Sequence, residues 1–292
     1  MAAIPAAFGV ASAFYQRCAE RKDNLRFSAP GEFVDIGNRR LHVIRSGSGR
    51  PVVVVLPALS TPAVEWVRVQ RALTSLTDST VLVVDRAGIG WSDPAPWPRT
   101  LSTMADEVHQ LLAGLGLKEP VILVGHSVGG LIARLYAARH RERVAQLILV
   151  DSSHEDQNKH LHRFDRTVGD GELWRGALRY RLRLLGWYRW RKQFFRGDEL
   201  VRVAAREVPA DLVDAHIARD FTTSRRRAVV QEFGPDGVPV EDAGSCPRGR
   251  GGGAVPRRGR GRPSRTTRPL LGYGAIATSS IAAGPRLLRT CA

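Results

Sequence analysis

The stretch VILVGHSVGGLIARLYAARH, Val121 to His140, places a serine between an apolar run of strand length and a run with helical spacing. Ser127 lies within Gly125-His126-Ser127-Val128-Gly129, the pattern G-x-S-x-G in the strand-before, helix-after context that makes it informative. A serine on so tight a turn is lifted above the sheet on a strained backbone. Gly125 and Gly129, lacking Cβ, let neighbouring chain come close. The Val128 N–H falls at the helix start, where an unpaired donor and the helix dipole can stabilise an oxyanion. The chemistry this pattern supports is attack by the Ser127 hydroxyl on a carbonyl carbon. The competing reading is a glycine-bounded turn carrying an incidental serine.

Such a turn needs a sheet beneath it. EFVDIGNRRLHVIRSGSG reads as a β-hairpin turning at Gly37-Asn38. RPVVVVLPAL is a continuous apolar run, suited to a strand covered on both faces. VEWVRVQRALTSL has helical spacing, with Trp66, Val69 and Leu73 on one side. STVLVVDRAGIGWSD is a second buried strand closed by a glycine-rich turn, and TLSTMADEVHQLLAGLGL an amphipathic helix capped by Ser102 or Thr103. PVILVGHS and VAQLILVDSS are the third and fourth strands. Strand and helix alternate, so the fold class is α/β, a mostly parallel sheet with right-handed crossovers and helices on both faces. Ligands in such sheets bind at the carboxyl ends of the strands, where the unusual loops fall. Residues 152–232 read as a helical cap over that edge, with RAVVQEF as the one strand-like run.

Four of these stretches together resemble the α/β-hydrolase superfamily, and among its members the esterase-like serine hydrolases with a helical cap. NRRLHVIRSGSGRPVVVVL is similar to that family's entry hairpin and first core strands. DRAGIGWSD resembles its D-R-x-G-x-G-x-S loop, LVGHSVGGLIAR its nucleophile elbow, and LILVDSSHEDQ the strand leading into the cap. The likeness spans Gly31 to Ser153. It implies an α/β-hydrolase fold in which Ser127 is the nucleophile of an acyl transfer from an ester-like small molecule to water. It also implies a second oxyanion donor after the first core strand. Here that loop is LPALSTPAVEW, and alignment on Trp66 sets Ala58 at the family's glycine, making the Leu59 N–H the donor beside Val128. A serine at the elbow, rather than an aspartate, argues against epoxide-hydrolase or dehalogenase chemistry. No cofactor or metal is implied. Asp85 and Arg86 read as a structural pair pinning their loop, and His126 as a pocket wall.

The resemblance also requires an acid and then a histidine after the serine, on loops near the C-terminus. The last histidine is His216, within the cap, and no acid follows Asp242. Three accounts compete. The tail can be a shifted reading of GC-rich coding DNA, since Gly, Ala, Pro and Arg, with the most GC-rich codons, make up 32 of the 50 residues from Ala243. The protein can be a non-catalytic member, a pseudoenzyme or binding protein on the same fold. Or the triad can be rebuilt from His154 as base with Asp151 or Asp156 as acid, against the plainer reading of His154 as a cap hinge. On each account the triad is atypical. Residues 233–292 read as a low-complexity disordered tail, and the fold's C-terminal strands are expected to be missing.

Charge narrows the partners. The chain has 292 residues and a net charge of +16, but ten of its arginines and none of its acids lie from Ala243 onward, leaving +6 on the rest. That split argues against nucleic-acid binding by the whole protein. Leu173–Arg196 carries eight basic and no acidic residues among large apolar ones. It reads as a cap helix with snorkelling arginines, or as a surface for anionic membrane; RNA binding by this helix or by the arginine-rich tail is the alternative of a different class, set against the lack of any recognised nucleic-acid fold. Residues 1–30 begin with MAAIPAAFGVASAFYQR, which has no basic start and is shorter than the roughly 20 apolar residues of a membrane span. A peripheral helix on the domain is expected, with a shortened membrane anchor as the alternative. The location implied is cytoplasmic, with or without membrane association. Three cysteines, Cys18, Cys246 and Cys291, are too few and scattered for a disulfide framework or zinc site.

Overall fold

The computed structural model describes residues 3–154, 206, 208–233 and 276–279. Most of the expected cap, including the basic stretch Leu173–Arg196, lies outside the described residues, as does the tail apart from four residues.

Seven strands form one sheet: β1 (Glu32–Asp35), β2 (Arg40–Ser46), β3 (Val52–Leu56), β4 (Thr80–Val84), β5 (Val121–His126), β6 (Val144–Val150) and β7 (Ile276–Ser279), in the order β1-β2-β4-β3-β5-β6-β7. β4, β3, β5 and β6 are parallel, and β1, β2 and β7 run antiparallel to their neighbours. The expected hairpin is present, and its turn sets Gly37 at φ +96°, a conformation open to glycine at no steric cost.

The uninterrupted apolar strands are explained by helices on both faces. Successive side chains point to opposite sides, so Val54, Leu56, Leu82, Val84 and Leu123 join one core while Val53, Val55, Val81, Val83 and Val124 join the other. α3 (Leu101–Gly114) and α4 (Val128–Arg139) cover the first face. α2 (Val67–Leu76), the 3-10 turn before it and α5 (Val213–Asp220) cover the second.

Three local expectations are corrected. α2 buries Val67 and Gln70 and leaves Val69 exposed; Gln70 Nε2 donates to Ile44 O and Val81 O at 2.7 Å each, which rotates the helix toward the polar pin. The cap of α3 is Thr100, two residues before Ser102 and three before Thr103, because its side chain and that of Thr103 bond reciprocally to each other's backbone N–H. RAVVQEF is helical: α6 (Thr223–Phe233) contains it and brings Glu232 beneath the sheet edge.

The tail supplies a strand where none was expected. β7 pairs antiparallel with β6, from Leu147 opposite Ser279 to Val150 opposite Ile276. The β6 edge offers unpaired backbone groups for such a strand to join. β7 contains neither acid nor histidine.

The N-terminal segment is α1 (Ala3–Arg26), packed on the domain as a peripheral helix. Gln16 Nε2 donates to Phe221 O, and Glu20 Oε1 accepts from the backbone and hydroxyl of Thr223 at 2.6 and 2.7 Å. No described helix is long and apolar enough to cross a membrane.

A buried chain of charge ties distant elements together. Glu107 on α3 accepts from Arg39 at 2.6 Å and from both ends of Arg99 at 2.8 and 3.1 Å. Arg99 reaches Glu232 at 3.6 Å, and Glu232 in turn holds Arg86. Burial alone would lower the Arg99 guanidinium, but Glu107 and then Glu232 hold it above its ordinary value. Removing one member leaves uncompensated charge in low dielectric. Glu107→Gln is expected to destabilise the fold by roughly 3–5 kcal/mol, read as a lower urea midpoint; an unchanged midpoint would show that water already satisfies these groups.

His140, at the end of α4, stacks on His109 with centroids 4.3 Å apart. Burial, then the neighbouring His109, lowers the His140 pKa from its ordinary 6.5. The unfolded chain therefore takes up this proton more readily. Stability should be full above pH 6.5 and fall as pH drops through the lowered folded value. His140→Gln should flatten that slope in denaturation curves taken across this range.

Candidate active site

Ser127 joins β5 to α4 with φ 51° and ψ −120°, outside the regions that L-residues favour. Among the described residues, the non-glycine residues with positive φ are Ser60, Ser127 and Asp151. They follow β3, β5 and β6, three adjacent strands, so the backbone strain gathers at one place on the carboxyl edge of the sheet.

The elbow is held from several sides. Ser127 N donates to Val150 O at 3.3 Å, and Ser127 O accepts from Gly130 N at 2.9 Å and Ser153 N at 3.1 Å. A Cβ on Gly129 would lie 2.1 Å from Leu56 O, and one on Gly125 would lie 2.5 Å from Gly130 Cα. These contacts explain the two glycines of the pattern. Gly130 is also crowded, though by a side chain and not by backbone, its Cβ position lying 2.1 Å from Ser152 Oγ. Nothing in the pattern marks that third glycine, because its neighbour arrives from β6.

Ser127 is half-buried, and its Oγ lies 3.2 Å from Ser153 Oγ, either of which can donate. Ser153 was not singled out in the sequence. Its position is legible only once β6 is known to neighbour β5. Asp151 and His154 stand in the same segment, both exposed, so the structure brings these candidates to the sheet edge beside Ser153. Ser153 is the residue of that segment that meets the Ser127 hydroxyl.

Val128 is the first residue of α4 and is buried. Leu59 lies in the loop after β3 and packs partly against the core. That loop is pinned by its carbonyls. Arg86 Nη1 donates to Pro57 O at 2.5 Å and Nη2 to Ala58 O at 2.9 Å, while Arg225 Nη2 donates to Ser60 O at 2.7 Å. Thr61 N also donates to Ala58 O, at 3.1 Å. Among the described residues, neither the Leu59 nor the Val128 N–H has a backbone acceptor in these turns.

Asp85 and Arg86 do pin their loop, but not as a pair with each other. Asp85 is fully buried and accepts from Ala63 N at 2.6 Å and Trp91 N at 3.2 Å, with His42 Nδ1 2.7 Å away. Arg86 turns the other way, to Glu232 and the Pro57–Ala58 carbonyls. Adjacent residues after a strand face opposite sides, which sends the acid and the base to different partners.

The His42–Asp85 pair has the composition of a base and its orienting acid. It sits in the wrong place for Ser127: β2 is three strands from β5, about 14 Å at ~4.8 Å per strand. His42 packs on Phe33 and Trp91 and is a structural histidine. His126 packs its ring edge-on to Trp66 at 5.8 Å, as a wall residue would. Among the described residues no group of three or more His, Cys, Asp or Glu is arranged to hold a metal ion.

A strained serine between a parallel strand and a helix, in a sheet of this order, defines a class of protein. The alpha/beta hydrolase fold family model matches residues 51–205, and the chain belongs to that family. The chain is 26% identical over 153 residues to an uncharacterised protein, YbdG, of Bacillus subtilis (strain 168), covering 52% of this chain and 46% of that one. It is 34% identical over 125 residues to a cis-3-alkyl-4-alkyloxetan-2-one decarboxylase of Shewanella oneidensis, covering 41% and 38%. Among solved structures, Est816, described as an N-acyl homoserine lactone degrading enzyme, aligns with TM-score 0.48 at 19% identity over 71% of this chain and 73% of its own. The matched segment spans less than half the length of these curated relatives.

The glycine contacts yield a direct test. Gly129→Ala forces a methyl onto a backbone carbonyl that cannot swing away, so β3 and α4 must separate. We expect a loss of about 1–3 kcal/mol, as for other overpacked cores, measured by thermal denaturation. A variant as stable as the parent would mean that the elbow and β3 are not in this contact.

Proposed function

We propose that this protein carries a serine-hydrolase site acting on the carbonyl of an ester-like small molecule by acyl transfer to water. Ser127 is the nucleophile, and the Val128 and Leu59 amides hold the oxyanion. The observation that carries the reading is the Ser127 backbone. A non-glycine residue at φ 51° between strand and helix persists only where its surroundings impose it, and such strain concentrates at functional sites. Attack on a carbonyl requires donors where negative charge develops, and the helix start supplies one.

The same site gives a reason for slow turnover. The hydroxyl of Ser127 meets the hydroxyl of Ser153, which has no tendency to accept a proton at neutral pH. His154, with Asp151, is the base and acid that the segment offers in place of a C-terminal pair. A non-catalytic role on the same fold is the second reading, favoured by that hydroxyl pair. The apolar strands and buried cores are common to both readings, and the strain at Ser127 favours the first.

Hydrolysis of a short p-nitrophenyl ester separates them. We expect Ser127-dependent turnover well below the enzyme median of about 10 s⁻¹, abolished in Ser127→Ala. Equal hydrolysis by the parent and Ser127→Ala would remove the nucleophile assignment. Turnover near 10 s⁻¹ that disappears in His154→Ala would instead establish a working base.

A further inference from the structure

We infer that Arg86, oriented by Glu232 of α6, is a positioning residue that aims the Leu59 amide at the oxyanion; the inference rests on the function proposed above. The geometry begins with one peptide unit. Ala58 C=O and Leu59 N–H belong to the same planar trans peptide and point in opposite directions. Whatever holds the Ala58 oxygen therefore decides where the Leu59 N–H points. Arg86 Nη2 holds it at 2.9 Å, and Nη1 holds the preceding carbonyl, Pro57 O, at 2.5 Å. Two bonds from one rigid fork fix two successive peptide planes.

The fork is itself fixed. Glu232 Oε1 accepts from Arg86 Nε and Oε2 accepts from Nη2, both at 3.0 Å, and the two side chains are 5% and 0% exposed. A bidentate carboxylate sets the plane of the guanidinium as well as its position. Further along the loop, Thr61 Oγ1 donates to Leu59 O at 3.3 Å, and Arg225, also on α6, donates to Ser60 O from Nε and Nη2. Each carbonyl from Pro57 to Ser60 is thus held by a side chain. Two of the three side chains are arginines, and α6 either bears them or orients them.

This arrangement answers the departure at Ala58, where the family resemblance leads one to expect glycine. A glycine there would let the loop turn freely. With alanine, the loop's course is set by bonds from outside it. Ser60 at φ 54° is the strained residue that this clamping holds in place. α6 lies at the C-terminal end of the cap segment, so the helix that closes that segment also sets the oxyanion loop.

The test uses the full chain with Glu232→Gln, which keeps the volume and removes the charge. The readouts are p-nitrophenyl ester kinetics and amide hydrogen exchange. Deleting an oxyanion donor costs on the order of 10²–10³ in kcat, so a misaimed one should cost about ten-fold or more, with KM within about two-fold. Exchange at the Thr61 amide, which donates to Ala58 O, should speed up while the β5 peptide, Val121–His126, keeps its protection. An unchanged kcat, a change confined to KM, or faster exchange spread equally over β5 would overturn the inference. If Glu232→Gln does not accumulate as folded protein, Arg86→Lys carries the same readouts, because lysine keeps the buried charge but lacks the fork. If the parent itself shows no Ser127-dependent turnover, the proposed function fails, and exchange alone decides the inference. Faster exchange at Thr61 in the variant then supports it, and equal exchange refutes it.

Discussion

The carbonyl of Leu56 occupies the place where a Gly129 side chain would begin. The site depends on that contact. It brings the first turn of α4 against the end of β3, which puts the Val128 amide and the loop after β3 on the same side of Ser127. It also leaves Ser127 no room to relax, so its backbone stays at positive φ with the carbonyl bonded to Gly130 and Ser153. A larger residue at 129 would relieve the strain by moving the strand, and the site would be lost with it.

Around this contact, buried polar groups do the positioning that apolar packing cannot. Apolar burial is non-directional and fixes layers rather than angles. Asp85 ties β2, the turn before α2 and the Gly88–Trp91 loop to the end of β4 through directed bonds. Glu107, Arg99, Glu232 and Arg86 form a second such line, running from α3 through α6 to the loop beside Ser127. Their energetic worth is modest when intact and large when broken, the usual asymmetry of buried ion pairs.

The layers were legible in the sequence, because uninterrupted Val-Leu-Ile runs have few other uses and the glycine-bounded serine falls between a strand and a helix. Ser127, Gly125 and Gly129 could be read for that reason. Glu232 could not, since an acid in a stretch such as RAVVQEF is indistinguishable from a surface residue until its partner is known. Ser153 and Gly130 depend on β6 lying beside β5, a pairing that spacing does not encode. Arg86 is legible as an anchor, but its partners are not, because they come from 28 and 146 residues away. The β7 pairing escaped a compositional reading for a related reason. Four residues need only an open sheet edge, whatever the character of the chain around them.

Ser127 is proposed as a nucleophile and not as an incidental serine on a turn. Covalent capture tests it most directly, since an acylating or phosphonylating reagent needs no completed turnover. The full chain would be incubated with an alkyl fluorophosphonate, and its intact mass and peptide map recorded. A single adduct is expected on the peptide containing Ser127, absent after Ser127→Ala and absent from the denatured chain. No adduct on the folded protein, or one carried elsewhere at the same rate in Ser127→Ala, would contradict it.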